Sequence, residues 1–130
     1  RHILLIEDDK DDQFLFAEAL TELDPSIRLD LADHGMIGCE KLMKGDKLPD
    51  MIFLDLNMPK MDGFAFLKWY RSTTYFEKIP VIVFTTSNSA ADRMFSVELG
   101  ASNFITKPVN YLKVIEVIAE CIAADWFKEA

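Results

Sequence analysis

The residue types that could do chemistry in this chain are carboxylates, and one of them stands at an abrupt boundary. Met51-Ile52-Phe53-Leu54 is an apolar run that ends in Asp55, with Leu56-Asn57-Met58-Pro59 and then Met61-Asp62-Gly63 close behind. An apolar run broken by turn residues reads as a buried strand whose carboxyl end opens into a loop. In an open parallel sheet, ligands sit at that edge. Asp55 is therefore an acid held by the core and facing a crevice, suited to gaining and losing charge. The pattern recurs at His2-Ile3-Leu4-Leu5-Ile6, which runs straight into Glu7-Asp8-Asp9-Lys10-Asp11-Asp12. Two more apolar stretches end in polar groups. Thr85 and Thr86 follow Pro80-Val81-Ile82-Val83-Phe84, and Lys107-Pro108 follows Asn103-Phe104-Ile105-Thr106.

To gather these groups on one edge, the four runs must be strands of one sheet, with helices between them. Phe14, Leu15, Ala17, Ala19, Leu20 and Leu23 recur at helical spacing, and Asp11 and Asp12 fall in that helix's first turn, where negative charge suits the dipole. Ile27-Arg28-Leu29-Asp30-Leu31 alternates as an outer strand does. Met36 to Met43 reads as a short helix, and another follows Gly63 with Phe64, Phe66, Leu67, Trp69 and Tyr70. Ser89 with Asp92 three residues on predicts a capping box for a helix carrying Ala91, Met94, Phe95 and Leu99, and Gly100 sits where a C-terminal cap belongs. The last helix starts near Asn110, with Leu112, Ile115, Ile118, Ile122 and Trp126 along one stripe.

Five strands alternating with five helices predict an α/β, doubly wound parallel sheet. Right-handed crossovers and the order 2-1-3-4-5 bring strands one and three together at the switch point, with Glu7, Asp8 and Asp55 side by side. Helices one and five then cover one face, and helices two, three and four the other. Cys39 and Cys121 fall on opposite faces, too far apart to pair.

At 130 residues and 50% hydrophobic by composition, the chain fits a single domain, 1–130, with a real core. The net charge of −8 disfavours direct nucleic-acid binding, which needs basic side chains to neutralise phosphates. No 18-residue apolar run or signal-peptide pattern is present, so no membrane association is expected and the cytoplasm is the default location. His2 and His34 have no partners at metal spacing and read as structural.

Acids after strand one, Asp after strand three, Thr after strand four and Lys-Pro after strand five resemble the response-regulator receiver domain over nearly the whole chain. The resemblance implies a flavodoxin-like, three-layer fold and a phosphorelay switch rather than an enzyme, single-domain like the chemotaxis regulators. Asp55 is then the phosphoacceptor, taking its phosphoryl group from a phosphohistidine on a histidine kinase or phosphotransfer protein. A carboxylate can act as a covalent acceptor, but it repels an anionic donor. The remedy is a hard divalent cation, Mg²⁺ or Mn²⁺, on Asp8, Asp55 and the backbone carbonyl of Asn57, with Glu7 acting through water. Asp9 is kept out of this set.

By the same resemblance, Lys107 pairs with Asp55 before transfer and with a phosphoryl oxygen afterwards, aimed inward by a cis Lys107-Pro108 bond. Thr85 is the switch hydroxyl and Thr86 its small neighbour governing access. Phe104 is the aromatic that turns inward with the switch. Coupling through Thr85 and Phe104 is expected to bias a surface made of helix four, strand five and helix five, which would read out to a downstream protein or support a homodimer. No output domain is expected in this chain, although excision from a longer hybrid kinase or regulator gives the same pattern. A related aspartyl-phosphate phosphatase would need a second Asp two residues beyond the nucleophile, and that position is Asn57. A flavodoxin-like cofactor site would need Gly and hydroxyls in the first loop, which instead carries acids.

Overall fold

The computed structural model describes residues 1–44, 47–58, 61–73 and 79–124. Five parallel strands, β1 (His2–Ile6), β2 (Arg28–Ala32), β3 (Met51–Leu54), β4 (Val81–Thr85) and β5 (Asn103–Thr106), form one sheet in the order β2-β1-β3-β4-β5. Helices α1 (Lys10–Leu23), α2 (Gly35–Lys44), α3 (Gly63–Arg71), α4 (Ala90–Glu98) and α5 (Tyr111–Ala123) alternate with them. The expected fold and strand order are both present.

The inner strands β3 and β4 are buried along their whole length because helices cover both sheet faces, which is why they read as unbroken apolar runs. Alternate residues point to opposite sides. Leu4, Ile6, Ile52, Leu54, Val81 and Val83 pack with Phe66 and Leu67 of α3 and Leu42 of α2. Ile3, Leu5, Phe53, Ile82 and Phe84 pack with Phe16 of α1 and Ile118 of α5. On that second side, the Phe16 ring meets Phe53 edge-on at 4.9 Å and Phe84 at 6.0 Å. Leu99, just after α4, joins the α2–α3 side. Cys39 and Cys121 lie on opposite sides and are free thiols.

Three helix faces differ from the sequence reading. In α1 the buried set is Gln13, Phe16, Ala19 and Leu20, whereas Phe14 and Leu15 are exposed. Gln13 can be inside because its amide donates to the Glu7 carbonyl at 2.6 Å and to Asp33 Oδ1 at 2.9 Å. In α5, Leu112 faces outward and Val114, Ile118 and Cys121 form the buried stripe; Trp126 lies outside the described residues. In α4 only Ser96 is buried, leaving Met94, Phe95 and Val97 exposed.

The caps are close to expectation. Asp9 caps α1 by accepting from the Asp12 amide at 3.0 Å. Ser89 caps α4, but the reciprocal half of the capping box is rerouted. Asp92 accepts from the Ser87 hydroxyl at 2.6 Å, and Ser87 Oγ accepts from the Ser89 amide at 3.2 Å. Gly100 follows α4 with φ +108°, a conformation that suits a residue without Cβ.

Candidate functional site

The sheet ladder continues past the strands and fixes the backbone of the site. The Glu7 amide donates to the Ala32 carbonyl at 2.9 Å, Asp55 N–H to Ile6 at 3.0 Å, and Lys107 N–H to Thr85 at 2.7 Å. The carboxyl ends of β2, β1 and β3, and those of β4 and β5, are thereby tied together along one edge. Gly63 closes the loop beneath them by donating to the Leu56 carbonyl at 3.0 Å. A Cβ at Gly63 would lie 2.5 Å from the Asp55 carbonyl oxygen and 2.7 Å from Leu56 Cα, so this close approach requires glycine.

On that edge Glu7, Asp8 and Asp55 each offer a carboxylate oxygen, and the three oxygens lie within 4.8 Å of one another. Asp55 is 5% exposed, and its Oδ1 is buried with no hydrogen-bond partner. A buried carboxylate oxygen without a donor is costly unless something cationic or protic meets it. The donor set is all oxygen, which suits a hard divalent cation. Burial, foremost, drives the Glu7 carboxyl up to about 7; the Lys107 hydrogen bond opposes this and the Asp55 charge reinforces it.

Lys107 does not pair with Asp55. Its ammonium donates to Glu7 Oε1 at 2.5 Å and to Asp12 Oδ2 at 2.8 Å. Burial alone would lower its pKa, but the bonds to Asp12 and Glu7 outweigh that and hold it above the ordinary value. The Lys107–Pro108 peptide is trans, as are all the described peptides. The lysine is aimed inward all the same, by its backbone bond to Thr85 and by the two carboxylates. Trans is also the intrinsically preferred form, by about 0.5–1 kcal/mol.

Thr85 ends β4 beside β3 and is fully buried, its hydroxyl accepting a long 3.5 Å bond from Ser87 N–H. Thr86 is exposed and, with Lys107, Glu7, Asp12 and Phe84, lines a cavity of about 320 Å³ between α1 and α5. Asn57 is exposed two residues beyond Asp55. Phe104 is buried, with the Arg93 guanidinium 4.9 Å over its ring and donating to its carbonyl at 3.3 Å. Pro59, in the loop after Asp55, lies outside the described residues.

Residues 3–119 match the response regulator receiver domain. Response regulator Rcp1 of Synechocystis sp. is 32% identical over 131 residues, covering 97% of this chain and 88% of the relative. The chain belongs to the response regulator receiver domain family.

Solved receivers agree in three dimensions. The phosphorylated cyanobacterial phytochrome response regulator RcpA superposes with a TM-score of 0.88 at 31% identity, covering 100% of this chain and 96% of that one. The Mn²⁺-bound form of Rcp1 gives 0.85 at 30% identity, with the same coverage. Sensor histidine kinase CheAY of Helicobacter pylori is 40% identical over 106 residues, which span 82% of this chain but 13% of that kinase. The match to the transcriptional regulator CusR of Escherichia coli covers 47% of that protein. Receiver units like this one thus occur in short regulators and inside much longer signalling proteins. Among the described residues no helix is long and apolar enough to cross a membrane.

Two supports of this receiver's site escape a reading of the sequence. Asp12 looks like a first-turn acid, yet it holds Lys107. Gln13 looks like a polar helix residue, yet it is buried against the Glu7 carbonyl. The spacing of Gln13 to Phe16 and Leu20 along one helical stripe was the available signal for the second. For the first there was none, because 95 residues separate the partners.

Proposed function

We propose that Asp55 is the phosphoacceptor of this receiver and that its charge state is the signal. The observation that carries this reading is the buried, unpartnered Asp55 Oδ1 within a three-carboxylate cluster at the sheet edge. A carboxylate oxygen of Asp55 attacks phosphorus of a phosphohistidine on a histidine kinase or phosphotransfer protein. The P–N bond breaks, its electron pair returns to the imidazole nitrogen, and an acyl phosphate forms on Asp55.

Asp8 and Asp55, with Glu7 and the Asn57 carbonyl, would hold a divalent cation, Mg²⁺ or Mn²⁺. When bound, that ion offsets the repulsion between the acidic cluster and the anionic donor. Lys107 supplies the mobile positive charge for the phosphoryl oxygens, and its compact ammonium suits a target that changes place. Thr85 must expose its buried hydroxyl to reach the same group, and Thr86 governs the opening beside it.

The Thr85 movement is coupled through β5 to Phe104, giving two states of the α4–β5–α5 surface. The support for that surface as the partner site, or as a homodimer face, is twofold. A cavity of about 490 Å³ there is lined by Arg93, Phe104, Ile105, Val117 and Cys121 among others. Nearby, α4 leaves Met94 and Val97 exposed. The protein acts as a self-phosphorylating switch with slow loss of the group, in a cytoplasmic pathway. Incubation with acetyl phosphate and Mg²⁺ followed by intact-mass measurement tests this. One added phosphoryl group in the parent and none in Asp55→Ala is expected; uptake undiminished in Asp55→Ala would refute it.

A further inference from the structure

Asp12 sits in the first turn of α1, where the helix dipole alone would account for an acid. Its contact is more specific than that. Asp12 Oδ2 and Glu7 Oε1 together take two of the three N–H donors of Lys107, at 2.8 and 2.5 Å. The Asp55 carboxylate in the same cluster is left with its Oδ1 unpartnered. The ammonium is thus engaged by Glu7 and Asp12 and makes no hydrogen bond to Asp55.

The two holders are unequal. The Glu7 side chain is 3% exposed and is pinned further by the Asp9 amide on Oε2 at 3.1 Å. The Asp12 side chain is 36% exposed, so water can take the place of the ammonium when the lysine leaves. The lysine stem is flexible, and the Asp12 bond is the one that a swing toward Asp55 gives up at least cost.

We propose that Asp12 is a positioning residue, a latch that draws Lys107 off Asp55 in the resting receiver and so slows phosphoryl uptake. The proposal rests on the reading of Asp55 as acceptor. Neutralising Asp12 weakens the clamp while leaving Glu7, Asp8 and Asp55 in place, so Lys107 reaches the phosphoryl group in a larger fraction of encounters. For a half-open ion pair the gain is about threefold in rate.

The test compares phosphorylation rates with limiting acetyl phosphate at saturating Mg²⁺, by intact mass, after thermal melts confirm folding of each variant. Asp12→Asn is expected to react about threefold faster than the parent. Asp11→Asn removes the same charge from an exposed neighbour in the same turn that has no ion pair among the described residues, and should leave the rate unchanged. In a Lys107→Ala background the Asp12→Asn gain should vanish. The latch is overturned if Asp12→Asn is no faster than the parent. It is overturned equally if the gain persists without Lys107, since the effect is then plain repulsion of the donor. A parent protein that takes up no phosphoryl group would instead refute the acceptor reading, and the latch with it.

Discussion

Glu7 is a buried acid whose carboxyl is driven from an ordinary 4.5 up to about 7, so replacing it should change how stability depends on pH. Between those two values the unfolded chain has lost the Glu7 proton while the folded chain still holds it. Stability contributed by the protonated form is thus complete below about 4.5 and is lost as pH rises through about 7. At about 1.36 kcal/mol for each factor of ten, the loss is about 3 kcal/mol, an upper figure because Lys107 moves with it. Glu7→Gln mimics the protonated acid at every pH. Urea unfolding of both proteins from pH 4 to pH 8 without divalent cation should give equal stability at the acid end. The variant should pull ahead steadily by about 2–3 kcal/mol at the neutral end. Mg²⁺ favours the ionised cluster and should shrink the gap at neutral pH. A parent and variant that run parallel across the whole range would refute the assignment of Glu7 as a strained buried acid.

Asp8→Asn should remove most of the rise in melting temperature that Mg²⁺ gives the parent, read by thermal melts with and without the ion; an undiminished rise would take Asp8 out of the cation site. Gly63→Ala should cost about 1–3 kcal/mol, because its Cβ would press on the Asp55 carbonyl and Leu56 Cα, backbone atoms that cannot swing aside. Gly38→Ala, whose nearest obstacle is the movable Ile6 Cδ1, should cost less in the same urea titration. Phe53→Ala empties the centre of the Phe16–Phe53–Phe84 cluster and should cost about 3–5 kcal/mol, with no change in the metal response.

The strands and their order were legible because inner strands of a doubly covered sheet must be apolar on both faces, and each ended in a polar residue. Asp55, Glu7 and Asp8 could be brought together from topology alone, and their oxygens do converge. Helix faces were less legible. In α1, apolar residues surround the axis, and contact with the sheet selected Phe16 over Phe14 and Leu15. In α4, spacing marks Met94 and Phe95 as apolar without saying whether anything covers them, and within the domain both stay exposed. Lys107 follows β5 at the same sheet edge, but its partners Glu7 and Asp12 depend on side-chain distances across β1, α1 and β5 that no local pattern encodes. Competition between Asp55, Glu7 and Asp12 for one ammonium is settled only in three dimensions.

The central claim, that Asp55 carries the phosphoryl group, is tested most directly by locating the modification. Borohydride converts an aspartyl phosphate to homoserine, so protein treated with acetyl phosphate and Mg²⁺, then reduced and digested, can be read by peptide sequencing in a mass spectrometer. Homoserine is expected at position 55 and at no other carboxylate. Homoserine at Asp8 or another acid, with Asp55 intact, would contradict it.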